Sequence, residues 1–175
     1  MGTGIIVCGL NGVGKSTLGK ALADKLNFHF IDNEDLYFSS MDNQYPYDFP
    51  RSKNEAKQIL LSEIDAYENF VLAAVKGDYG AEVYPFFQYA VLIETAKEVR
   101  IQRVKNRSYQ KFGNRILPGG DLYEKEKRFL DFIEFRNENT VEEWVQSLTC
   151  PVIRIDGTKK LEENIKRIIN NFQLT

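Results

Sequence analysis

Eight consecutive residues carry the clearest chemistry in the chain: Gly9-Leu10-Asn11-Gly12-Val13-Gly14-Lys15-Ser16. They fit the spacing G-x-x-x-x-G-K-[ST], the signature of a loop that cradles phosphates. The residue types follow from that task. Glycines at 9, 12 and 14 allow backbone conformations closed to residues with a Cβ, so loop N–H groups can turn inward toward phosphate oxygens. A helix starting at the loop's end adds unpaired N–H groups and the positive end of its dipole. Lys15 is spaced to reach β- and γ-phosphates, and the Ser16 hydroxyl to hold Mg²⁺. Asn11 and Val13 belong to the same cradle, and Thr17 is a candidate contact to an α-phosphate.

Carboxylates and cations elsewhere suggest the partners of that loop. Asp32 closes the short apolar run Phe28 to Ile31. A carboxylate there suits two tasks: a hard oxygen ligand for Mg²⁺, or a base toward an acceptor hydroxyl. Asp35 lies three residues on and could share the work; the alternative is that Asp32 or Asn33 caps the next helix. A metal-binding aspartate usually follows an apolar strand directly. Here Val75 is followed by Lys76 and Gly77 before Asp78, which moves metal binding toward Asp32 and leaves Asp78 as a second candidate. Lys76, at a strand's carboxyl end, would face a ligand cleft and meet an anionic substrate, or stay a solvated lysine.

Arg103 and Arg107 lie four apart on one helix face, and Arg115 follows across a loop, with Lys111 between. Guanidinium groups suit the negative charge spread over a transferring phosphoryl group; a basic helix face in water is the alternative. Arg100 points elsewhere by helical spacing and is expected at the surface. The stretch Tyr37 to Phe49 is unusually aromatic, with Tyr47 inside it and Arg51 just beyond. Aromatic faces suit a flat or apolar ligand, and Arg51 an acceptor phosphate or carboxylate. A flap packed on the core explains the aromatics equally well.

The elements that must position these residues alternate between strand and helix. Gly4 to Cys8, Phe28 to Ile31, Phe70 to Val75, Tyr89 to Ile93 and Pro151 to Ile155 read as strands. Helices are expected from Ser16 to Leu26, after a capping box at Ser52-x-x-Glu55, after a second at Thr95-x-x-Glu98 through about Arg107, and from Leu161 to Phe172. Residues 122 to 147 read as helical with a break near Asn137 to Asn139, and 108 to 121 as mobile or irregular. The pattern predicts a parallel sheet covered by helices.

Composition narrows the partners. The 175 residues suit one domain, residues 1–175, and the net charge of −2 supplies no global basic field for nucleic acid or a membrane surface. No apolar stretch is long enough to span a bilayer, and no signal peptide is expected. Cys8 and Cys150 read as free thiols in a reducing cytoplasm, and His29 as a packing or surface residue.

Taken together, the phosphate loop, the acidic end of the second strand, the arginine-bearing segment and the turn Ile155-Asp156-Gly157-Thr158 make the chain resemble the small P-loop kinases of the adenylate kinase and shikimate kinase group. The resemblance spans nearly the whole length. It implies a three-layer α/β fold with a five-stranded parallel sheet in the order 2-3-1-4-5. It also implies an acceptor-binding segment at about 33–68 and a lid at about 107–128 carrying Arg107 and Arg115. Thr158 is implied as a base contact, with a helix cap as its alternative. The expected activity is Mg²⁺-requiring phosphoryl transfer from ATP, with Lys15, Asp32, Arg107 and Arg115 at the chemistry. The acceptor, a nucleotide, nucleoside or metabolite, would sit near Asp35, Tyr47, Arg51 and Lys76. A regulatory ATPase that transfers phosphate only to water is the rival reading, and a nucleic-acid end kinase stands third.

Overall fold

Three runs of apolar residues can be buried on both faces only at the centre of a helix-covered sheet. In the computed structural model, which describes residues 2–38, 45 and 47–172, these runs are β1 (Gly4–Cys8), β3 (Phe70–Ala74) and β4 (Tyr89–Glu94). Residues 39–44 and 46, inside the expected acceptor-binding segment, lie outside the described residues. The edge strands β2 (His29–Asp32) and β5 (Val152–Asp156) are only partly covered. The sheet is parallel throughout, in the order β2-β3-β1-β4-β5. The register sets Cys8 beside Ala74 and Leu92, and Asp32 beside Ala73. The carboxyl ends of β1, β2 and β3 therefore open onto one edge, where open α/β sheets bind ligands.

Successive residues of β1 point to opposite faces and feed two separate cores. Ile6 and Cys8 pack with Leu72 and Leu92 under α3 (Lys53–Ala66) and α6 (Thr140–Val145), through Ala56, Leu60, Ile64, Val141 and Trp144. Ile5 and Val7 pack with Val71 and Val91 under α1 (Lys15–Leu26) and α7 (Leu161–Asn171), through Leu18, Leu22 and Ile168. The result is the expected three-layer architecture. The short α2 (Asn33–Tyr37) follows β2 directly. Two further helices, α4 (Lys97–Phe112) and α5 (Tyr123–Phe135), are joined through a 3₁₀ turn at Gly113–Ile116 and form an arch.

The Ser52 capping box forms in full: the Ser52 hydroxyl accepts from the Glu55 N–H, and the Glu55 carboxylate accepts from the Ser52 N–H. The box expected at Thr95 does not. Ala96 takes the cap position with no side-chain hydrogen bond, and the Thr95 Oγ1 is buried without a partner. The Thr95 carbonyl instead accepts from the Arg100 Nε at 3.3 Å. The helix behind it also runs past Arg107 to Phe112, so the stretch expected to be irregular begins helical. A break separates α5 from α6 across residues 136–139, where the asparagines fall.

Candidate active site

The phosphate loop occupies the turn between β1 and α1. Gly14 caps α1 in the left-handed region at φ 100°, a conformation that L side chains rarely adopt. Gly12 has φ 84°, and a Cβ there would stand 2.3 Å from the Arg100 carbonyl oxygen. The loop is thus pressed onto α4 where only glycine fits.

Arg100 corrects the sequence reading. It is 1% exposed, not a surface residue. Its guanidinium donates to the Asn11 carbonyl at 3.2 Å and to both oxygens of Glu138 at 2.7 and 2.8 Å. Nor does helical spacing separate it from its neighbours: Arg100, Arg103 and Arg107 stand at i, i+3 and i+7 on one face of α4, and that face meets the loop rather than water.

Above the carboxyl edge lies an open cleft of about 670 Å³. Lys15, Ser16 and Thr17 line its floor. The Lys15 Nζ donates to the Leu10 carbonyl at 3.1 Å. Burial, then the Arg107 charge, push its pKa down to about 8, against the pull of the Asp32 carboxylate. Asn11, Gly12 and Gly14 line the cleft as well; Val13 is buried beneath, and the Gly9 N–H donates to the Val75 carbonyl at 3.2 Å.

Three arginines reach the same cleft from the arch. Arg103 straddles the phosphate loop and the loop after β5, donating to the Val13 carbonyl at 3.4 Å and the Gly157 carbonyl at 2.9 Å. Arg107 lies one turn further along α4. Arg136, at the end of α5, donates to the Asn11 Oδ1 at 3.1 Å and lies over the Phe132 ring. Sequence reading missed Arg136, because it stands 29 residues beyond Arg107 and only the return path of α5 brings it to the loop. Arg115 is not brought to the cleft. It is exposed and forms a two-point ion pair with Asp121.

On the opposite side of the cleft stand Asp32, Lys76 and Asp78. Asp32 does two things at once: its Oδ1 accepts from the Glu34 N–H at 3.0 Å and caps α2, and its carboxylate lines the cleft near Lys15. Asp78 lies between Lys53 at 3.4 Å and Lys76 at 3.8 Å. Tyr47 lines the wall, stacked on Phe129 of α5 and edge-on to Phe38. Burial, then the Glu34 carboxylate, push the Tyr47 phenol up to about 12. Asp35 is exposed, and its side chain is not part of the wall. Arg51 turns away: its Nη1 donates to the Asp35 and Leu36 carbonyls at 2.9 and 3.0 Å. Thr158 is exposed and closes its own turn, donating from Oγ1 and N–H to the Asp156 carboxylate.

The AAA_18 family model, described as an AAA domain, matches residues 5–131, from β1 into α5. The chain belongs to the AAA_18 family. That match takes in the phosphate loop, Asp32, the acceptor-side segment, Arg103 and Arg107; Arg136 falls beyond it. Among curated proteins, this AAA_18 member is 28% identical over 174 residues to the uncharacterized protein YqaC of Bacillus subtilis (strain 168), covering 95% of each. It is 25% identical over 167 residues to an adenylate kinase isoenzyme 6 homolog of Caenorhabditis elegans, covering 94% of this chain and 86% of that one. Among solved structures, the shikimate kinase of Bacteroides thetaiotaomicron superposes with a TM-score of 0.59 at 17% identity, over 96% of this chain and 97% of that one. The fold is that of the small P-loop kinases of the adenylate kinase and shikimate kinase group.

Proposed function

We propose that the protein transfers the γ-phosphoryl group of ATP to a hydroxyl of a small molecule, with Mg²⁺. One observation carries this reading. A single cleft holds the phosphate loop and three arch arginines on one side and a carboxylate, Asp32, on the other. That is the charge pattern in-line phosphoryl transfer needs: cations where charge spreads, and a hard oxygen or base facing them.

The donor set fits Mg²⁺. The ion keeps several waters and takes one or two protein oxygens beside the substrate phosphates. The Ser16 hydroxyl and the Asp32 carboxylate would supply these, with Asp78 a second carboxylate in the same cleft. The bound ion would neutralise charge developing on the β- and γ-oxygens.

The chain's own residues do the rest. The loop N–H groups hold the phosphates. Lys15 leaves the Leu10 carbonyl to meet the γ-phosphate. The acceptor oxygen attacks phosphorus as the bond to the bridging oxygen of the leaving diphosphate breaks. Arg107 and Arg136 meet the charge on the moving group. Asp32 either accepts the hydroxyl proton or orders the metal's shell.

The test is a metabolite panel with purified protein, ATP and Mg²⁺. A phosphorylated acceptor is expected with the parent and is absent with Lys15→Ala. Hydrolysis of ATP with no phosphorylated compound anywhere in the panel would give the site to the regulatory ATPase instead. Asp32→Asn separates its two roles: a raised Mg²⁺ requirement marks a metal ligand, and a lost acidic limb in the pH profile marks a base.

A further inference from the structure

The two sides of the cleft differ sharply in charge, and the difference bears on what the acceptor can be. The floor and arch supply Lys15, Arg103, Arg107 and Arg136, and among the described residues no carboxylate lines the cleft there. The β2–β3 side supplies Asp32, Glu34 and Asp78 against only Lys53 and Lys76. Both lysines lie beside one carboxylate, Asp78, so neither stands unopposed.

Among the described residues that side also lacks a guanidinium. Anionic groups are gripped best by a bidentate arginine. The arginine nearest in sequence, Arg51, has its Nη1 committed to two backbone carbonyls and its backbone N–H to a third, that of Tyr37 at 2.7 Å. Freeing the guanidinium would strip the Asp35 and Leu36 carbonyls of α2 of their bonds to Nη1. What the wall itself offers is aromatic surface, and the cation nearest to it, Lys111 of α4, lies over the Tyr47 ring with its Nζ 6.0 Å from the centroid. Tyr37 and Phe38 line it, Tyr47 meets Phe38 edge-on with centroids 5.2 Å apart, and Phe129 backs Tyr47 at the same distance. Such faces take a flat ring, by stacking or edge contact. Glu34, exposed and on the same wall, offers an acceptor for a hydroxyl or amino group and repels an anion.

We propose that the acceptor is an uncharged, flat-ringed alcohol, of the kind a nucleoside or a heteroaromatic carbinol represents, bearing no phosphate or carboxylate of its own. This rests on the kinase reading above and narrows it. The ring lies against Phe38 and Tyr47, and its hydroxyl points past Asp32 toward the γ-phosphate. An acceptor already carrying a phosphate on this wall would set a dianion beside the exposed Glu34 carboxylate.

Matched pairs test the proposal by binding alone, so that turnover is not needed. The protein is saturated with a non-hydrolysable ATP analogue and Mg²⁺, and calorimetry compares each nucleoside with its 5′-monophosphate and each heteroaromatic alcohol with the corresponding carboxylic acid. At least one neutral member is expected to bind, about tenfold or more tighter than its anionic partner. Phe38→Ala should abolish that binding while analogue affinity stays within about twofold. Glu34→Gln should narrow the gap between neutral and anionic partners. Tighter binding of the anionic members overturns the proposal and gives Lys53 and Lys76 the role of anion holders. Absence of binding by every pair, with the analogue bound, also overturns it. Failure of the analogue itself to bind would strike the kinase reading, a separate result.

Discussion

Lys15 is where the chemistry of a single residue is most exposed to test. Its folded-state pKa of about 8 lies below the ordinary 10.5, so between those values the unfolded chain binds more protons. The stability this group contributes therefore rises as pH climbs from about 8 to about 10.5. Nucleotide binding runs the other way, because phosphate oxygens favour the ammonium. ATP should bind with uptake of a proton at about pH 9 and almost none at about pH 7, read by calorimetry in two buffers of different ionisation enthalpy. Equal uptake at both would show that the amine is not the titrating group. Lys15→Ala should lose tight Mg-nucleotide binding with its unfolding transition intact. Arg100 asks for the opposite kind of test. It contacts no open part of the cleft but braces the Asn11 carbonyl and the start of α4. Because Glu138 is half exposed, it can rehydrate when its partner is lost. Arg100→Met should then cost about 2–4 kcal/mol in denaturant unfolding, less than breaking a fully buried pair. The motif residues were legible because their spacing is itself the chemistry. Arg100 and Arg136 were not, because their roles depend on which elements fold back onto the loop.

At the scale of elements, the strands were legible from their apolar runs, and their parallel order from the helices between them. The Thr95 motif shows the limit of such reading. Its spacing matches a capping box, but the Thr95 Oγ1 is buried beside Gly157 in the loop after β5, the cap moves to Ala96, and the Thr95 carbonyl accepts from Arg100. The arch shows another. Paired arginines were expected across a lid at Arg107 and Arg115, yet the 3₁₀ turn leaves Arg115 outside, held to Asp121, while the return of α5 brings Arg136 in. The expected kinetics divide accordingly. Arg107→Ala and Arg136→Ala should each lower kcat by about a thousandfold or more, with far smaller changes in ATP affinity, because their target is charge in the transition state. Arg115→Ala should leave kcat within about twofold, since an exposed ion pair contributes little. Equal losses in all three variants would mean that the arch rearranges on closing and brings Arg115 to the phosphates.

The whole molecule couples the two sides of the cleft through contacts far apart in sequence. Tyr47 stacks on Phe129, Lys125 pairs with Asp48, and the Tyr45 hydroxyl donates to the Glu126 Oε2 at 3.0 Å across 81 residues. The acceptor-side segment is thus fastened to the arch that carries Arg136. Glu126 is 2% exposed, its Oε1 has no partner among the described residues, and the Tyr45 hydroxyl is the one hydrogen bond its side chain makes among them. A buried acid held by one donor is costly to orphan but cheap to replace together with that donor. Tyr45→Phe should therefore lower stability by about 1–3 kcal/mol, the penalty of stranding a buried carboxylate. Glu126→Leu, which leaves the Tyr45 hydroxyl without its acceptor, should cost a similar amount. The double variant should lose less than the sum by about 1 kcal/mol or more, because neither polar group is left unpaired. Denaturant midpoints for the four proteins close the cycle. Strict additivity would show that the two groups do not act as one latch, and that the acceptor-side segment rests on the arch through its aromatic stack alone.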